Sequence, residues 1–264
     1  MDYQDILYTK EEGIATITLN RPDRMNALIP GILESIYKAV EDATKDEKVR
    51  VLVITGTGRA FCAGADVKAM ADSLNQPGGG GGEREAEARH VLLDIILNKF
   101  EKPLIAAING VTVGGGLDLA LACDIRIASD RARFAEVHIR RGLIPAMGGI
   151  YLLPRLVGID RACQLIWTGD MVDAKEAERI GLVTMVVPHE ELESATMELA
   201  EKLAKGPPLA IRKAKRAIYE GLGMDLQSTQ EYVTSALKEL RGTEDHKEGA
   251  RAFVEKRGAV FKGK

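Results

Sequence analysis

Apolar residues recur along the chain with two different periods, which predicts alternating strands and helices. Residues 14–19 (IATITL) and 49–58 (VRVLVITGTG) are rich in aliphatic and β-branched side chains and predict strands, the second buried on both faces. Between them, apolar side chains recur every three or four residues over 27–43, the spacing of an amphipathic helix. Residues 104–110 (LIAAING) predict a further short buried strand. This pattern is typical of an α/β fold.

The second half of the chain continues the alternation and then becomes mostly helical. Residues 90–100 have helical spacing, whereas 124–129 (DIRIAS) and 131–137 (RARFAEV) predict strands. The sequence 173–176 (DAKE) is a capping box that predicts the start of a helix, and Gly181 predicts its end. We therefore expect one α/β core followed by a helical C-terminal region.

Composition and charge restrict the class of protein. The 264 residues are 45% hydrophobic and 28% charged, which excludes disordered, coiled-coil and disulfide-scaffold proteins. The formal net charge of −3 gives no positive field for nucleic acid or an anionic membrane. No apolar run approaches the roughly 18 residues of a membrane span, and the N-terminus does not resemble a secretory signal. We expect a cytoplasmic protein without nucleic-acid or membrane partners.

Cysteine and histidine usage adds little chemistry. The three cysteines are odd in number and widely spaced, so they form neither a disulfide framework nor a paired metal motif. The four histidines are scattered without ligand spacing, and we expect no metal site.

Glycine is concentrated in segments that predict close backbone approach or mobility. Residues 75–82 (NQPGGGGG) predict a flexible surface loop, either a mobile lid or a plain linker. Residues 63–66 (AGAD) and 114–118 (GGGLD) are turns that lead into helix-like segments, where backbone N–H groups lack an internal partner. Two converging N–H donors would form an oxyanion hole. The alternative is that these glycines only permit tight strand-to-helix packing.

Four blocks of sequence, in this order, resemble the crotonase (enoyl-CoA hydratase/isomerase) superfamily. They are LNRPDRMNAL, AFCAGADVKAM, AAINGVTVGGGLDLALACD and GLIPAMGGIYLLPRLVG, and the resemblance extends to the ending AFVEKRGAVFKGK. It implies a crotonase-like (ClpP/crotonase) α/β spiral of ββα units over residues 1–200 that binds acyl-CoA. It also implies that residues 201–264 form a helical region that covers the CoA and assembles homotrimers or dimers of trimers.

The resemblance also implies the shared chemistry of the superfamily. The protein is expected to bind an acyl-CoA thioester, without a tightly bound cofactor, and to stabilise the enolate formed at its α-carbon. The two backbone donors to the thioester oxygen fall on Ala65 and Gly115. A fixed N–H dipole directed at developing negative charge contributes roughly 3–4 kcal/mol, and small residues let the oxygen reach the backbone.

The acid–base positions depart from the pattern of the superfamily. Where the hydratases have two glutamates, this chain has Asp118 and, four residues before Gly142, His138. Histidine titrates near neutral pH and could act alone as base or acid, with Asp118 orienting it or a water. The alternative is a structural His138. If residues 133–139 (RFAEVHI) are extended, Glu136 lies on the same side as His138 and could replace the missing acid. The alternative is a solvated or ion-paired glutamate beside Arg140 and Arg141.

Several other residues are candidates for binding CoA. Arg24 lies where the superfamily commonly places a basic residue against the nucleotide phosphates, a role that suits the guanidinium fork. Lys262 or Lys256 could reach the 3′-phosphate, although a solvated basic tail explains both equally well. The first small-residue turn supplies further candidates for CoA contact, namely Ala63, Asp66 and Val67. Asp66 is also a candidate cap of the local helix.

Cys62 and His90 are weaker candidates. Cys62 lies in an apolar stretch and is expected to line the CoA pocket as a small apolar residue rather than act as a nucleophile. His90 begins the predicted helix after the glycine loop and is a candidate pocket residue, although it lies one residue out of register with the catalytic histidine of the aryl-CoA dehalogenases in this superfamily.

These observations favour a hydratase acting on an α,β-unsaturated or cyclic dienoyl-CoA. The alternative enzymes are a double-bond isomerase and a hydrolase that cleaves a C–C bond of a β-ketoacyl-CoA. Each of them needs one good base near the enolate. A CoA-binding or RNA-binding family member without catalysis is the alternative from another class, since the standard glutamate pair is absent.

Overall fold

The computed structural model describes residues 3–68 and 81–264. Within these ranges the strands are β1 (Ile6–Glu11), β2 (Ile14–Leu19), β3 (Val51–Gly56), β4 (Ala60–Cys62), β5 (Leu104–Ile108), β6 (Val111–Val113), β7 (Ile125–Ser129), β8 (Arg133–Ala135), β9 (Val172–Asp173) and β10 (Met185–Val187). The α-helices are α1 (Pro30–Lys45), α2 (Gly81–Asp94), α3 (Gly115–Leu121), α4 (Gly149–Val157), α5 (Ile159–Thr168), α6 (Ala174–Arg179), α7 (Leu192–Ala204), α8 (Pro208–Gly221), α9 (Leu226–Arg241) and α10 (Glu244–Glu255).

The strands form two sheets. The larger has the order β1-β2-β3-β5-β7-β10 and is parallel apart from the β1–β2 hairpin. The smaller has the order β4-β6-β8-β9, with only β9 antiparallel. From β3 to β8, successive strands enter the two sheets alternately, and α2 follows β4 in the chain as α3 follows β6. This arrangement confirms the expected spiral of ββα units.

Strand β3 shows why the sheet is buried on both faces. Its residues Leu52 and Ile54 belong to the core that includes α1, whereas Val51 and Val53 belong to a second core with Leu192 and other residues of α7. All four β3 side chains are at most 3% exposed. The continuous apolar run in the sequence therefore corresponds to a strand between two helical layers, as predicted.

The predicted helices begin at different residues in the structure. Helix α1 begins at Pro30 rather than at residue 27, because a proline is well tolerated only in the first turn. Helix α2 begins at Gly81, before the predicted start at 90, and a π-helical turn, Ile95–Lys99, extends it. Residues 75–80 of the predicted glycine loop lie outside the described residues. Its last two residues, 81 and 82, belong to α2.

The predicted strand over 131–137 is shorter in the structure. Strand β8 ends at Ala135, and Val137–Arg141 form a 3-10 turn that ends at Gly142 in the left-handed region. The expectation of an extended chain from Glu136 to His138 is therefore wrong. The tight turn has consequences for the site that are described below.

Helix α6 has the predicted ends. Asp173 Oδ1 accepts a hydrogen bond of 2.9 Å from the backbone N–H of Glu176. Gly181 follows the helix with a φ of +78°. Glycine adopts this left-handed conformation at little cost, and it ends the helix.

Helix α8 is hydrogen-bonded to the core through Asp124 and the Lys102 carbonyl, which accepts from Lys215 Nζ at 2.9 Å. Asp124 accepts hydrogen bonds from Lys215 Nζ at 2.9 Å and Tyr219 Oη at 2.7 Å, both from α8. The boundary expected at residue 200 falls inside α7, and we propose that the core extends to Ala204. In the described part of the chain, no helix combines the length and the apolar character needed to span a membrane.

Candidate active site

The two small-residue turns meet in space. Strands β4 and β6 pair in parallel, so the turns that follow them lie side by side. A Cβ atom on Gly64 would lie 3.2 Å from the backbone nitrogen of Gly115. Gly64 and Gly114 both have positive φ, +77° and +54°, which glycine adopts without steric cost. The glycines therefore permit both the close approach and the conformations of the turns.

Two amides from these turns are available to a ligand. The Leu28 N–H donates to the Gly64 carbonyl and the Asp66 N–H donates to the Leu28 carbonyl, which forms a short β-bridge. The N–H group of Ala65, between Gly64 and Asp66 in the chain, takes no part in this bridge. Gly115 is the first residue of α3, where a helix has no internal acceptor for the N–H group. Within the described part of the chain, neither amide donates a hydrogen bond. Ala65 and Gly115 line one cavity, as a pair of oxyanion donors must.

This cavity has a volume of about 270 Å³ and combines apolar walls with ionisable groups. Its lining residues are Leu28, Ala65, Arg89, Gly115, Asp118, His138, Arg141, Leu143, Ile144, Ala146 and Met147. The structure thus brings together the two predicted oxyanion residues and the two predicted acid–base residues.

Asp118 lies on α3 and is fully buried. Its Oδ2 atom accepts a hydrogen bond of 3.0 Å from the backbone N–H of Met147. A Cβ atom on Gly149 would overlap Asp118 Oδ1 and would lie 3.2 Å from Glu136 Oε1. Only glycine fits at position 149 without displacing the two carboxyl groups.

Glu136 lies at the end of β8 and is also fully buried. Its Oε2 atom is 3.0 Å from His138 Nδ1, and His138 Nε2 is 4.0 Å from Asp118 Oδ2. The alternative of a solvated glutamate paired with Arg140 or Arg141 is wrong, because the 3-10 turn folds the imidazole back over Glu136. The imidazole thus lies between the two carboxyl groups.

The carboxyl pair holds a proton near neutral pH. Burial raises the pKa of Asp118, the negative charge of Glu136 raises it further, and His138 and the Met147 N–H oppose both. Burial is also the main cause that raises the pKa of Glu136. Asp118 Oδ1 and Glu136 Oε1 have no hydrogen-bond donor among the described residues. A proton shared by the carboxyl groups relieves both the charge and the unsatisfied oxygens.

The surroundings of His138 lower its pKa and favour the neutral imidazole. Burial lowers its pKa, Asp118 opposes this effect, and the positive charges of Arg141 and Arg89 add to it. The imidazole side chain is 12% exposed and faces the cavity. A neutral imidazole can donate a proton from one nitrogen and accept one at the other.

The candidate CoA residues of the first turn lie around the oxyanion residue. Ala63 donates its N–H to the Met25 carbonyl at 2.9 Å, and Asp66 Oδ2 is 3.4 Å from the Arg21 guanidinium. Val67 is 50% exposed. It follows Asp66 directly and is helical. Arg24 is exposed in a 3-10 turn, Pro22–Arg24.

The C-terminal basic residues lie outside this cavity. Lys262 is exposed, and its N–H donates to Asp245 Oδ1 at 2.6 Å, so the tail is folded against α10. Lys256 ends α10 in the left-handed region.

Cys62 and His90 have different outcomes. Cys62 is fully buried, and burial raises the pKa of its thiol to about 12, which disfavours the thiolate. It is not among the described residues that line this cavity, and its place in the CoA pocket stays a prediction. His90 is exposed, and Arg89 lines the cavity in its place. The expectation of His90 as a pocket residue is therefore wrong by one helical position, which rotates a side chain by about 100°.

Four functional residues were not predicted from the sequence. Arg89 and Arg141 place positive charge at the cavity, Met147 donates to Asp118, and Gly149 makes room for the carboxyl pair. The two glycines at 148 and 149 were a visible signal of a tight turn, but their contact with Asp118 depends on the tertiary fold.

Two sheets wound as a ββα spiral, with two free amides and an acid–base cluster at one cavity, define the crotonase class of protein. The chain belongs to the enoyl-CoA hydratase/isomerase family, whose model matches residues 9–264.

Relatives of known name agree with this assignment. The chain is 40% identical to a crotonyl-CoA hydratase of Syntrophomonas wolfei, with 99% of both chains covered. It is 34% identical to a trans-2-decenoyl-[acyl-carrier-protein] isomerase of Streptococcus mutans, with both chains covered completely. The crystal structure of an enoyl-CoA hydratase from Bacillus anthracis superposes with a TM-score of 0.93 at 36% identity, covering 99% of this chain and 100% of that one. These similarities support an enzyme of the hydratase/isomerase type that acts on acyl-CoA.

Proposed function

We propose that the protein hydrates the double bond of a 2-enoyl-CoA. The observation that carries this proposal is the position of Asp118 and His138, whose facing atoms lie 4.0 Å apart at a cavity lined by Ala65 and Gly115. Hydration needs a base for the water, an acid for the α-carbon and donors for the thioester oxygen. Each of these functions has a residue at this cavity.

The thioester carbonyl oxygen binds between the N–H groups of Ala65 and Gly115. Addition of water at the β-carbon moves negative charge onto this oxygen. Donors already fixed by the two turns stabilise that charge without reorganising, and each contributes roughly 3–4 kcal/mol to the transition state.

Asp118 is the base that activates water. The Met147 N–H stabilises the ionised form of Asp118, so within the shared pair Asp118 carries the charge and Glu136 the proton. One water can bridge Asp118 Oδ2 and His138 Nε2 across their 4.0 Å separation. Asp118 accepts a proton from this water while its oxygen bonds to the β-carbon.

His138 is the acid that protonates the α-carbon. Its Nε2–H donates to the enolate carbon, and its Nδ1 accepts the proton of Glu136 across 3.0 Å. The imidazole therefore stays neutral throughout the step. The proton gained by Asp118 returns to His138 Nε2 through a water across their 4.0 Å separation, and the Nδ1 proton returns to Glu136, which restores the starting tautomer and the starting state.

The name of one relative and the size of the cavity support a particular substrate class. A relative is named for crotonyl-CoA, and a cavity of about 270 Å³ suits a short acyl group. We therefore propose a short 2-enoyl-CoA rather than a cyclic dienoyl-CoA. Arg24, Lys262 and the turn residues Ala63, Asp66 and Val67 are proposed to contact the CoA portion.

Isomerisation is a second candidate function. One relative is an isomerase, and the neutral His138 is sufficient as a single base that moves a proton between two carbons of the enolate. The partly protonated carboxyl pair favours this alternative, because a protonated Asp118 cannot activate water.

The test is turnover of crotonyl-CoA, followed by loss of the enoyl thioester absorbance. We expect Asp118→Asn and His138→Gln each to lower kcat by about 10²–10⁴-fold. Arg140→Gln is the control, because Arg140 is exposed and pairs with Asp170. Incorporation of solvent deuterium together with migration of the double bond, but without hydration, would favour isomerisation. Binding of acyl-CoA without any turnover, hydrolytic cleavage of β-ketoacyl-CoA included, would favour a non-catalytic protein.

We further propose that the protein forms homotrimers or dimers of trimers through its helical C-terminal region. Large apolar side chains of this region are exposed in the single chain, namely Ile218, Leu222, Leu226, Phe253 and Val254. Such surfaces are rarely left in water by monomers. Light scattering on the purified protein is expected to give three or six times the mass of one chain.

A further inference from the structure

One face of α2 leads from the active-site cavity to a second cavity. Arg89 lines the active-site cavity, and Leu93 follows one turn later on the same side of the helix. Leu97 lies a further turn along, in the π-helical extension of α2, and lines a separate cavity of about 530 Å³. We call this second space the distal cavity.

A second stretch of chain also connects the two cavities. Met147 lines the active-site cavity, and its N–H group donates to Asp118 at 3.0 Å. Gly148 follows Met147 directly, and Leu152, in the first turn of α4, lines the distal cavity. The segment that holds the catalytic carboxyl group therefore continues into the wall of the distal cavity.

Leu93 and Leu152 meet at Gly148, between the two cavities. A Cβ atom on Gly148 would lie 3.2 Å from Leu93 Cδ1 and 3.3 Å from Leu152 Cδ1. Because glycine has no side chain, both leucines pack directly onto the backbone at this point. They belong to the same hydrophobic core as Met147. We call these two side chains the leucine partition, since they separate the cavities.

The distal cavity can accept an apolar chain. Leu97, Phe100 and Leu152 give it apolar surface. Two of its polar side chains, Lys215 and Tyr219, already donate hydrogen bonds to Asp124. A hydrocarbon chain that entered the cavity would therefore leave these polar groups paired, which avoids the main cost of covering them.

The proposed hydration places the acyl chain beside this partition. The thioester oxygen binds at Ala65 and Gly115, and the β-carbon lies at Asp118. Carbons beyond the β-carbon extend away from the oxyanion donors and along the segment from Met147 to Gly148. A short acyl group ends before the leucine partition, whereas a longer group meets it.

We propose that Leu93 and Leu152 limit the length of the acyl chain, and that the distal cavity receives a longer chain when either side chain is shortened. This inference rests on the proposed hydratase function, since it identifies specificity-determining residues of the same site.

The test compares crotonyl-CoA with trans-2-decenoyl-CoA. The measured quantity is kcat/KM for the decenoyl ester divided by kcat/KM for the crotonyl ester, which we call the chain-length ratio. The wild type is expected to favour crotonyl-CoA. In Leu152→Ala and in Leu93→Ala the ratio is expected to rise by about tenfold or more, the discrimination that a hydrophobic site achieves for a single methylene. Leu152→Val is the milder variant if truncation to alanine prevents folding.

A second substitution tests whether the chain enters the distal cavity. Leu97 lines that cavity but not the active-site cavity. Leu97→Trp in the Leu152→Ala background fills the distal cavity with a large side chain. We expect it to return the chain-length ratio to the wild-type value.

Leu192→Ala is the matched control. Leu192 is 6% exposed, close to the 7% of Leu152, but it belongs to the second core against β3. Both truncations are expected to lower Tm to a similar extent, whereas only Leu152→Ala changes the chain-length ratio. A comparable rise in Leu192→Ala would assign the effect to general loosening of the fold and overturn the inference.

Saturated esters separate this inference from the proposed function. Decanoyl-CoA and butyryl-CoA cannot be hydrated, and calorimetry gives their relative affinities. Leu152→Ala is expected to raise the affinity for decanoyl-CoA relative to butyryl-CoA, and Leu97→Trp is expected to reverse this gain. If no enoyl ester is hydrated but both changes in affinity are present, the hydratase proposal fails and the leucine partition stands.

Three further results would overturn the leucine partition. One is a wild-type protein that hydrates trans-2-decenoyl-CoA as efficiently as crotonyl-CoA. Another is an unchanged chain-length ratio in folded variants of both leucines. The third is a raised ratio that Leu97→Trp does not reverse, which would mean that the chain leaves the site past Leu143 and Ile144.

Discussion

The Nδ1 atom of His138 lies 3.0 Å from the Oε2 atom of Glu136, although the two residues are separated by only one position in the chain. The 3-10 turn after β8 makes this contact possible. Because Glu136 also shares a proton with Asp118, the three side chains act as one titrating unit. A change at any of them is therefore expected to alter the behaviour of the other two.

Glu136→Gln is expected to move the pH dependence of hydration. The proposed mechanism needs Asp118 ionised and Glu136 protonated, and burial raises the pKa of Glu136 to about 8. The descending limb of kcat/KM, which reports loss of the Glu136 proton, should shift to higher pH in the variant, and kcat should fall because His138 loses its proton supply. The measurement is a pH profile with crotonyl-CoA. An unshifted limb would mean that Glu136 has only a structural role.

The same substitution is expected to stabilise the fold at high pH. The pKa values of Asp118 and Glu136 are raised in the folded protein, so the folded state binds more protons and stability falls as pH rises above the ordinary carboxyl range. Glu136→Gln removes one of the two ionisations. We expect its Tm to exceed that of the wild type at about pH 8, with a smaller difference at about pH 5. A lower Tm at both pH values would contradict the shared-proton description.

Gly115→Pro is expected to lower turnover strongly while retaining affinity for acyl-CoA. Proline removes one oxyanion donor, and the first position of a helix is where it is best tolerated. We expect kcat to fall by about 10²–10³-fold. Gly115→Ala is the matched control, since it keeps the N–H group and its Cβ would lie 3.2 Å from the flexible end of Leu28. Steady-state kinetics and calorimetric binding distinguish the two effects, and similar kcat values for both variants would exclude Gly115 as a donor.

Gly149→Ala is expected to damage both activity and stability. The added Cβ would overlap Asp118 Oδ1, so the carboxyl group would have to shift away from Glu136 and from the Met147 N–H that it accepts. Overpacking of this kind costs about 1–3 kcal/mol. Gly258→Ala is the control, because nothing lies within 4 Å of a Cβ at that position. Thermal unfolding and crotonyl-CoA kinetics provide the readouts, and a fully active Gly149→Ala variant would show that the carboxyl pair can shift.

Much of the fold could be predicted from periodicity, because strands and helices are governed by local patterns of apolar residues. The run over residues 49–58 correctly predicted a strand buried on both faces, and the segment 14–19 coincides with β2. Element boundaries were less accurate. The segment from Glu136 to His138 illustrates the reason. A change of backbone conformation over two residues is enough to turn a predicted extended segment into a 3-10 turn.

The sequence by itself determined the family, the two small-residue turns and the identity of the ionisable residues. These features depend on which residue types are present and on their order in the chain, and both can be read directly from the sequence. Only the tertiary structure decided that Glu136 is buried against His138, that Arg89 rather than His90 reaches the cavity, and that Gly149 borders the carboxyl pair. These relationships depend on packing between distant elements, which sets burial and hence proton affinity, and no local pattern specifies them.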